Sequence, residues 1–200
     1  DEARGVAADS SGNVYVVGGT KGRLNGISNS GRTDVFIIKF NSSGTRQWTK
    51  PLGTAQNDLA NGVSIDSSGN FYVAGLTYKN LDGNTSAGSA DLFVAKYNSS
   101  GTKQWTKQLG TSGRDHARGV ATDSSGNVFV AGDTYGGLDG NTNAGYNDLF
   151  VVKYNSSGTK QWTKQLGTSS TDLANGVATD SSGNVYVVGG TKGRLNGISN

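Results

Sequence analysis

One repeat governs this chain. The string DSSGN begins at Asp9, Asp66, Asp123 and Asp180, NSSGT begins at Asn41, Asn98 and Asn155, and tryptophan follows at Trp48, Trp105 and Trp162. Every one of these features recurs after 57 residues. The chain therefore divides into units 1–57, 58–114, 115–171 and a partial unit 172–200, about three and a half repeats with no linker and no second domain. A short unit cannot bury its own apolar faces, so copies must stack on one another.

Each unit reads as four short strands, with no segment of helical period. In the first unit these are strand A at 5–9, strand B at 14–19, strand C at 34–40 and strand D at 46–52. A joins B through Ser10-Ser11-Gly12-Asn13, and C joins D through Asn41-Ser42-Ser43-Gly44-Thr45. Glycine sits where a tight turn needs positive φ, and Asp or Asn sits where a side chain can brace it. A longer loop at 20–33 joins B to C.

Strands B and C are apolar on both parities: Val14, Val16, Tyr15 and Val17, then Val35, Ile37, Phe36 and Ile38. A two-sheet sandwich buries one face and shows alternation. A sheet held between two neighbours buries both. Strand A is small (Gly5, Val6, Ala7, Ala8), as suits a crowded inner position, and strand D carries Trp48 among polar residues, as suits an outer one. Small inside and large outside, with four antiparallel strands per unit, predicts an all-β fold of β-propeller blades.

Composition narrows the function classes. With 32 glycines, one proline and no cysteine, the chain has no disulfide, thiolate zinc site or cysteine nucleophile. A net charge of +3 spread along the chain does not suggest a nucleic-acid partner. No apolar run approaches about 18 residues, so no membrane-spanning helix is expected. The chain opens on Asp1 and shows no leader, and it is read as a fragment or processed product.

The pattern GVAxDSSGNVYVxGxT, a Gly/Asn-rich loop and then DxFVxKYNSSGTKQWTKQLG resembles the bacterial SBBP (seven-bladed β-propeller) repeat, and its layout is similar to NHL-type blades. The resemblance covers essentially all 200 residues. It implies a secreted or cell-surface protein with a binding or scaffolding role, and it supplies no catalytic residue and no cofactor. This chain departs from the family name by carrying three and a half units. Residues 185–200 also repeat 14–29 letter for letter.

The B–C loops and the D–A connections share one face, and variation between units concentrates there. Tyr78, Tyr135 and Tyr146 stand among Asn, Asp and Gly on these loops, where exposed aromatics can stack on a sugar; a glycan- or protein-binding face is the alternative reading to a plain scaffold. Asp139, Asn141 and Asn143 offer oxygens at the first, third and fifth positions of a run, as calcium loops do, but no glutamate stands at the twelfth. The run is read as a turn-forming loop, and no metal is assigned. Asp1, Asp58, Asp115 and Asp172 recur and are read as strand-end braces, and Trp48, Trp105 and Trp162 as structural anchors. His116 is the single histidine, with Glu2, Leu59 and Leu173 at its repeat positions. Arg4 and Arg118 alternate with Asn61 and Asn175, too sparse for a phosphate cradle. No clustered acid, base and nucleophile appears, so no enzyme is expected.

Three and a half blades leave an apolar face open at each end. The last strand, with Val185, Tyr186, Val187 and Val188, is an unpaired apolar edge. A homo-oligomer, a dimer above all, is the expected partner state. It forms either with one hairpin displaced or with two terminal hairpins paired edge to edge across a two-fold axis.

Overall fold

The computed structural model describes residues 1–195, so the last five residues of the partial unit 172–200 lie outside the described residues. Strands β1 (Glu2–Ala8), β2 (Val14–Thr20), β3 (Asp34–Phe40) and β4 (Arg46–Leu52) form an antiparallel meander. So do β5 (Asp58–Ile65), β6 (Phe71–Thr77), β7 (Asp91–Tyr97) and β8 (Lys103–Leu109), and then β9 (Asp115–Thr122), β10 (Val128–Thr134), β11 (Asp148–Tyr154) and β12 (Lys160–Leu166). The last unit contributes the hairpin β13 (Asp172–Thr179) and β14 (Val185–Thr191). The fold is all-β, built of β-propeller repeats.

The two hairpin turns work as their sequences imply. Asp9 Oδ1 accepts the amides of Ser11 at 3.0 Å and Asn13 at 2.9 Å while Gly12 takes φ +77°. Asn41 Oδ1 accepts the Thr45 amide at 2.8 Å. The same braces recur at Asp66, Asp123 and Asp180, and at Asn98 and Asn155.

Strand A begins three residues earlier than 5–9 and ends at Ala8. The cause is a β-bulge between Ala3 and Gly5, repeated between Ala60 and Gly62, in β9 opposite Ala131 and Gly132, and between Ala174 and Gly176. The bulge interrupts the period-two pattern that marks a strand. The extra residue is Arg4, Asn61, Arg118 or Asn175, each left out of the strand pairing.

Glycine lets the inner strands approach. A methyl on Gly5 would lie 3.2 Å from Cα of Gly62, and one on Gly62 would lie 3.4 Å from Cα of Gly119. Further out, apolar clusters fill the spaces between sheets. Tyr15, Val17, Val35 and Ile37 of the first sheet meet Phe71, Val73, Phe93 and Ala95 of the second. Tyr72, Ala74, Leu92 and Val94 of the second meet Val128, Val130, Phe150 and Val152 of the third. The half-buried tryptophans close the outer rim: Trp48 stacks on Phe71 of the next unit at 5.9 Å, and Trp105 lies 6.5 Å from Tyr154. Trp162 contacts Phe129 of its own unit at 6.0 Å.

Buried carboxylates fix the crossover from one blade to the next. Asp115 is fully buried and accepts the Thr111 amide at 2.6 Å, the Thr111 hydroxyl at 3.1 Å and the Thr134 hydroxyl. Its own amide donates to the Ala90 carbonyl of the preceding blade at 2.7 Å. Asp58 and Asp172 hold Thr54 and Thr168 in the same way, and Asp1 accepts the Thr20 hydroxyl at 2.5 Å. Burial pushes the Asp58 and Asp115 carboxyls up, against the hydrogen bonds from threonine.

Two outcomes follow from that arrangement. Asp115→Ala strands a buried amide and hydroxyl and should cost about 2–4 kcal/mol in urea unfolding. Asp115→Asn keeps an acceptor oxygen and should cost less. The folded carboxyl titrates above its unfolded value of 3.8, so the native state takes up a proton first as pH falls. The penalty of burying the charge is present at neutral pH and relieved on acidification. The parent should therefore gain on Asp115→Asn as pH falls from 7 toward 4; a pH-independent difference would contradict this.

Candidate functional site

The bulges aim one side chain from each inner strand toward a common place. Arg4, Asn61, Arg118 and Asn175, from all four units, line one cavity of about 390 Å³ together with Leu76 and His116. Four units of one repeat thus contribute the same backbone feature but different chemistry. Arg4 donates to Asn61 Oδ1 at 3.1 Å and to Glu2 at 2.9 Å, and Asn61 donates to the Ala117 carbonyl at 2.8 Å.

The third unit departs from the second at this place in a concerted way. In the second unit Leu59 of β5 stands opposite Leu76 of β6. In the third, His116 of β9 stands opposite Asp133 of β10. Asn61 becomes Arg118 and Ala90 becomes Asn147. All four new side chains join one cluster. Asp133, only 1 % exposed, forms an ion pair with Nε of Arg118 and accepts from Asn147 Nδ2 at 3.2 Å. His116 Nδ1 lies 3.8 Å from its other oxygen. Burial holds the imidazole below its ordinary pKa; the Asp133 charge opposes this, while Arg118 and Arg114 add to it. The His116 Nε2 is buried with no hydrogen-bond partner among the described residues.

The loop residues singled out from the sequence lie on two loops, Tyr78 between β6 and β7 and the others between β10 and β11. Tyr78 lines a neighbouring cavity of about 540 Å³ with Asp1, Glu2, Arg4, Lys21 and Asn57. Tyr135 and Tyr146 are exposed, line neither cavity and tie their backbones to Arg114 and Ser170. Asp139, in the left-handed region at φ 56°, forms an ion pair with Lys160 and accepts the Thr163 hydroxyl at 2.7 Å. Partial burial is outweighed by those contacts, and its carboxyl is held below the ordinary value. Asn141 donates to the Leu138 carbonyl and Asn143 to that of Gly145, both at 2.8 Å. The three side chains of this run thus serve three different partners. Among the described residues no group of three or more His, Cys, Asp or Glu is placed to hold a metal. Val185, Tyr186, Val187 and Val188 all lie on β14, which pairs with β13 on one side only.

Sequence reading passed over Asp133 and gave His116 no partner, because it weighed each residue singly. The available signal was a departure from the repeat at two positions that face each other across the A–B hairpin.

Comparison with known proteins agrees with the architecture. The SBBP β-propeller repeat matches at residues 1–25, 47–82, 104–139 and 161–196. The chain is 26 % identical over 174 residues to the regulatory protein FlaEY of Caulobacter vibrioides, a match covering 80 % of this chain and 18 % of that protein. It is 29 % identical over 170 residues to an uncharacterized WD repeat-containing protein of Acanthamoeba polyphaga mimivirus, covering 70 % of this chain and 12 % of the relative. The chain thus spans less than a fifth of the length of either relative.

Proposed function

Because the chain belongs to the SBBP β-propeller repeat family, we propose that it acts as a non-enzymatic scaffold that completes its ring of blades by joining a second copy of itself through its open ends. One observation carries this reading. Residues 185–195 repeat 14–24 letter for letter, so the same surface occurs once inside the stack and once at its end. Tyr15 and Val17 are 0 % exposed beneath the second sheet; their counterparts Tyr186 and Val188 are 56 % and 66 % exposed. At the other end Val6 is 68 % exposed, whereas Val120 at the same repeat position is buried. Both end faces thus have the chemistry of a blade-to-blade interface, and a second copy carries the complementary surfaces. Beside them, Leu149, Leu166 and Val187 line an apolar recess of about 250 Å³ where the outer strands of a complete fourth blade would lie.

In this reading the scaffold is a secreted or cell-surface one, as the family resemblance implies. The test is the solution mass of the chain and of a form lacking residues 172–200. The full chain should be larger than a monomer, and the deletion should change the oligomer size. An unchanged size would remove the terminal hairpin from the interface.

A further inference from the structure

The axial cavity has a built polar site on its third-unit side, and its chemistry is specific enough to name a ligand class. We infer that the cavity lined by Arg4, Asn61, His116, Arg118 and Asn175 binds a small carboxylate-bearing sugar, with the carboxylate on Arg118.

Arg118 directs its Nε to Asp133, which orients the guanidinium, and its two terminal nitrogens have no partner among the described residues. A guanidinium fixed at Nε and open at its outer edge is suited to two parallel hydrogen bonds with one carboxylate. Asp133 is in turn held by Asn147, so the orientation is fixed from behind. Asn61 and Asn175 line the same cavity, and their amides can meet ligand hydroxyls. Leu76 adds an apolar wall for the C–H face of a sugar ring. A volume of about 390 Å³ lies within the range of small-molecule sites.

Charge decides between a carboxylate and a phosphate. Arg4 is offset by Glu2 and Arg118 by Asp133, so the cavity has little surplus positive charge to balance a dianion. A singly charged acid bearing hydroxyls fits this balance better than a phosphate dianion. Four of the changes between the second and third units, Leu59, Asn61, Leu76 and Ala90 to His116, Arg118, Asp133 and Asn147, build the Arg118 side of this arrangement together.

The experiment is calorimetric titration of the full chain with glucuronate, glucose and inorganic phosphate. Glucuronate should bind saturably, and glucose and phosphate should each bind about tenfold more weakly or worse. Arg118→Ala should weaken glucuronate by about tenfold or more. The double change His116→Leu with Asp133→Leu recreates the Leu59–Leu76 pair that the second unit already accommodates. It should fold, by circular dichroism, and lose glucuronate binding. Equal affinity of the parent and this double variant, absence of saturable glucuronate binding, or phosphate binding tighter than glucuronate would each overturn the assignment. The solution mass does not enter this test, so it stands or falls separately from the scaffold reading.

Discussion

Gly75→Ala should destabilise the chain by about 3–5 kcal/mol, the far end of what overpacking a single site produces. Gly75 lies on β6 opposite the bulge of β5, and an added Cβ would stand 1.8 Å from the carbonyl oxygen of Leu59. The obstacle is backbone, so no side chain can swing aside to admit the methyl. Relief would require flattening the bulge, which would withdraw Asn61 from the axial cavity and shift the strand that packs on the third blade. Gly18, Gly132 and Gly189 stand in the same relation to Glu2, His116 and Leu173, with clearances of 1.7–1.9 Å. Gly22→Ala is the matched control. It has open space around its Cβ, so it should be neutral or slightly stabilising. Urea midpoints for the two variants check the pair; a Gly75→Ala loss as small as that of Gly22→Ala would mean that the bulge is not formed as described.

The legible and illegible parts of this chain have physical causes. The turns were legible because Asp9 or Asn41 with a following glycine is a local device, complete within five residues. The blade order was legible because strands B and C are apolar on both faces, which requires neighbours on both sides. Strand A was shortened at its start because the bulge puts Arg4 where alternation predicts an inward residue. The axial cluster was illegible for a different reason. His116 and Arg118 come from β9, Asp133 from β10 and Asn147 from the residue before β11, and they meet only through antiparallel register and the bulge, so no short window along the chain contains the site. The loop aromatics drew attention because they are locally conspicuous, but Tyr78 lies on the loop of one unit and Tyr135 and Tyr146 on that of the next, each tied to a different crossover, at Asn57, Arg114 and Ser170.

The second large effect concerns the open end. Val188→Lys should leave the hairpin folded, because the side chain is mostly exposed there. In a completed interface it would occupy the position of Val17, which is fully buried. An ammonium desolvated there without a partner is strongly unfavourable. Self-association should weaken by about a hundredfold or more, with the far-ultraviolet spectrum unchanged. The same association measured before and after the substitution would show that this face is not the contact.

The scaffold reading meets its most direct test in the mass of the unmodified chain by light scattering at micromolar concentration. It predicts a species of about twice the 20.6 kDa chain mass that reverts toward the single-chain value in Val188→Lys. A single species at 20.6 kDa across the whole concentration range would contradict it.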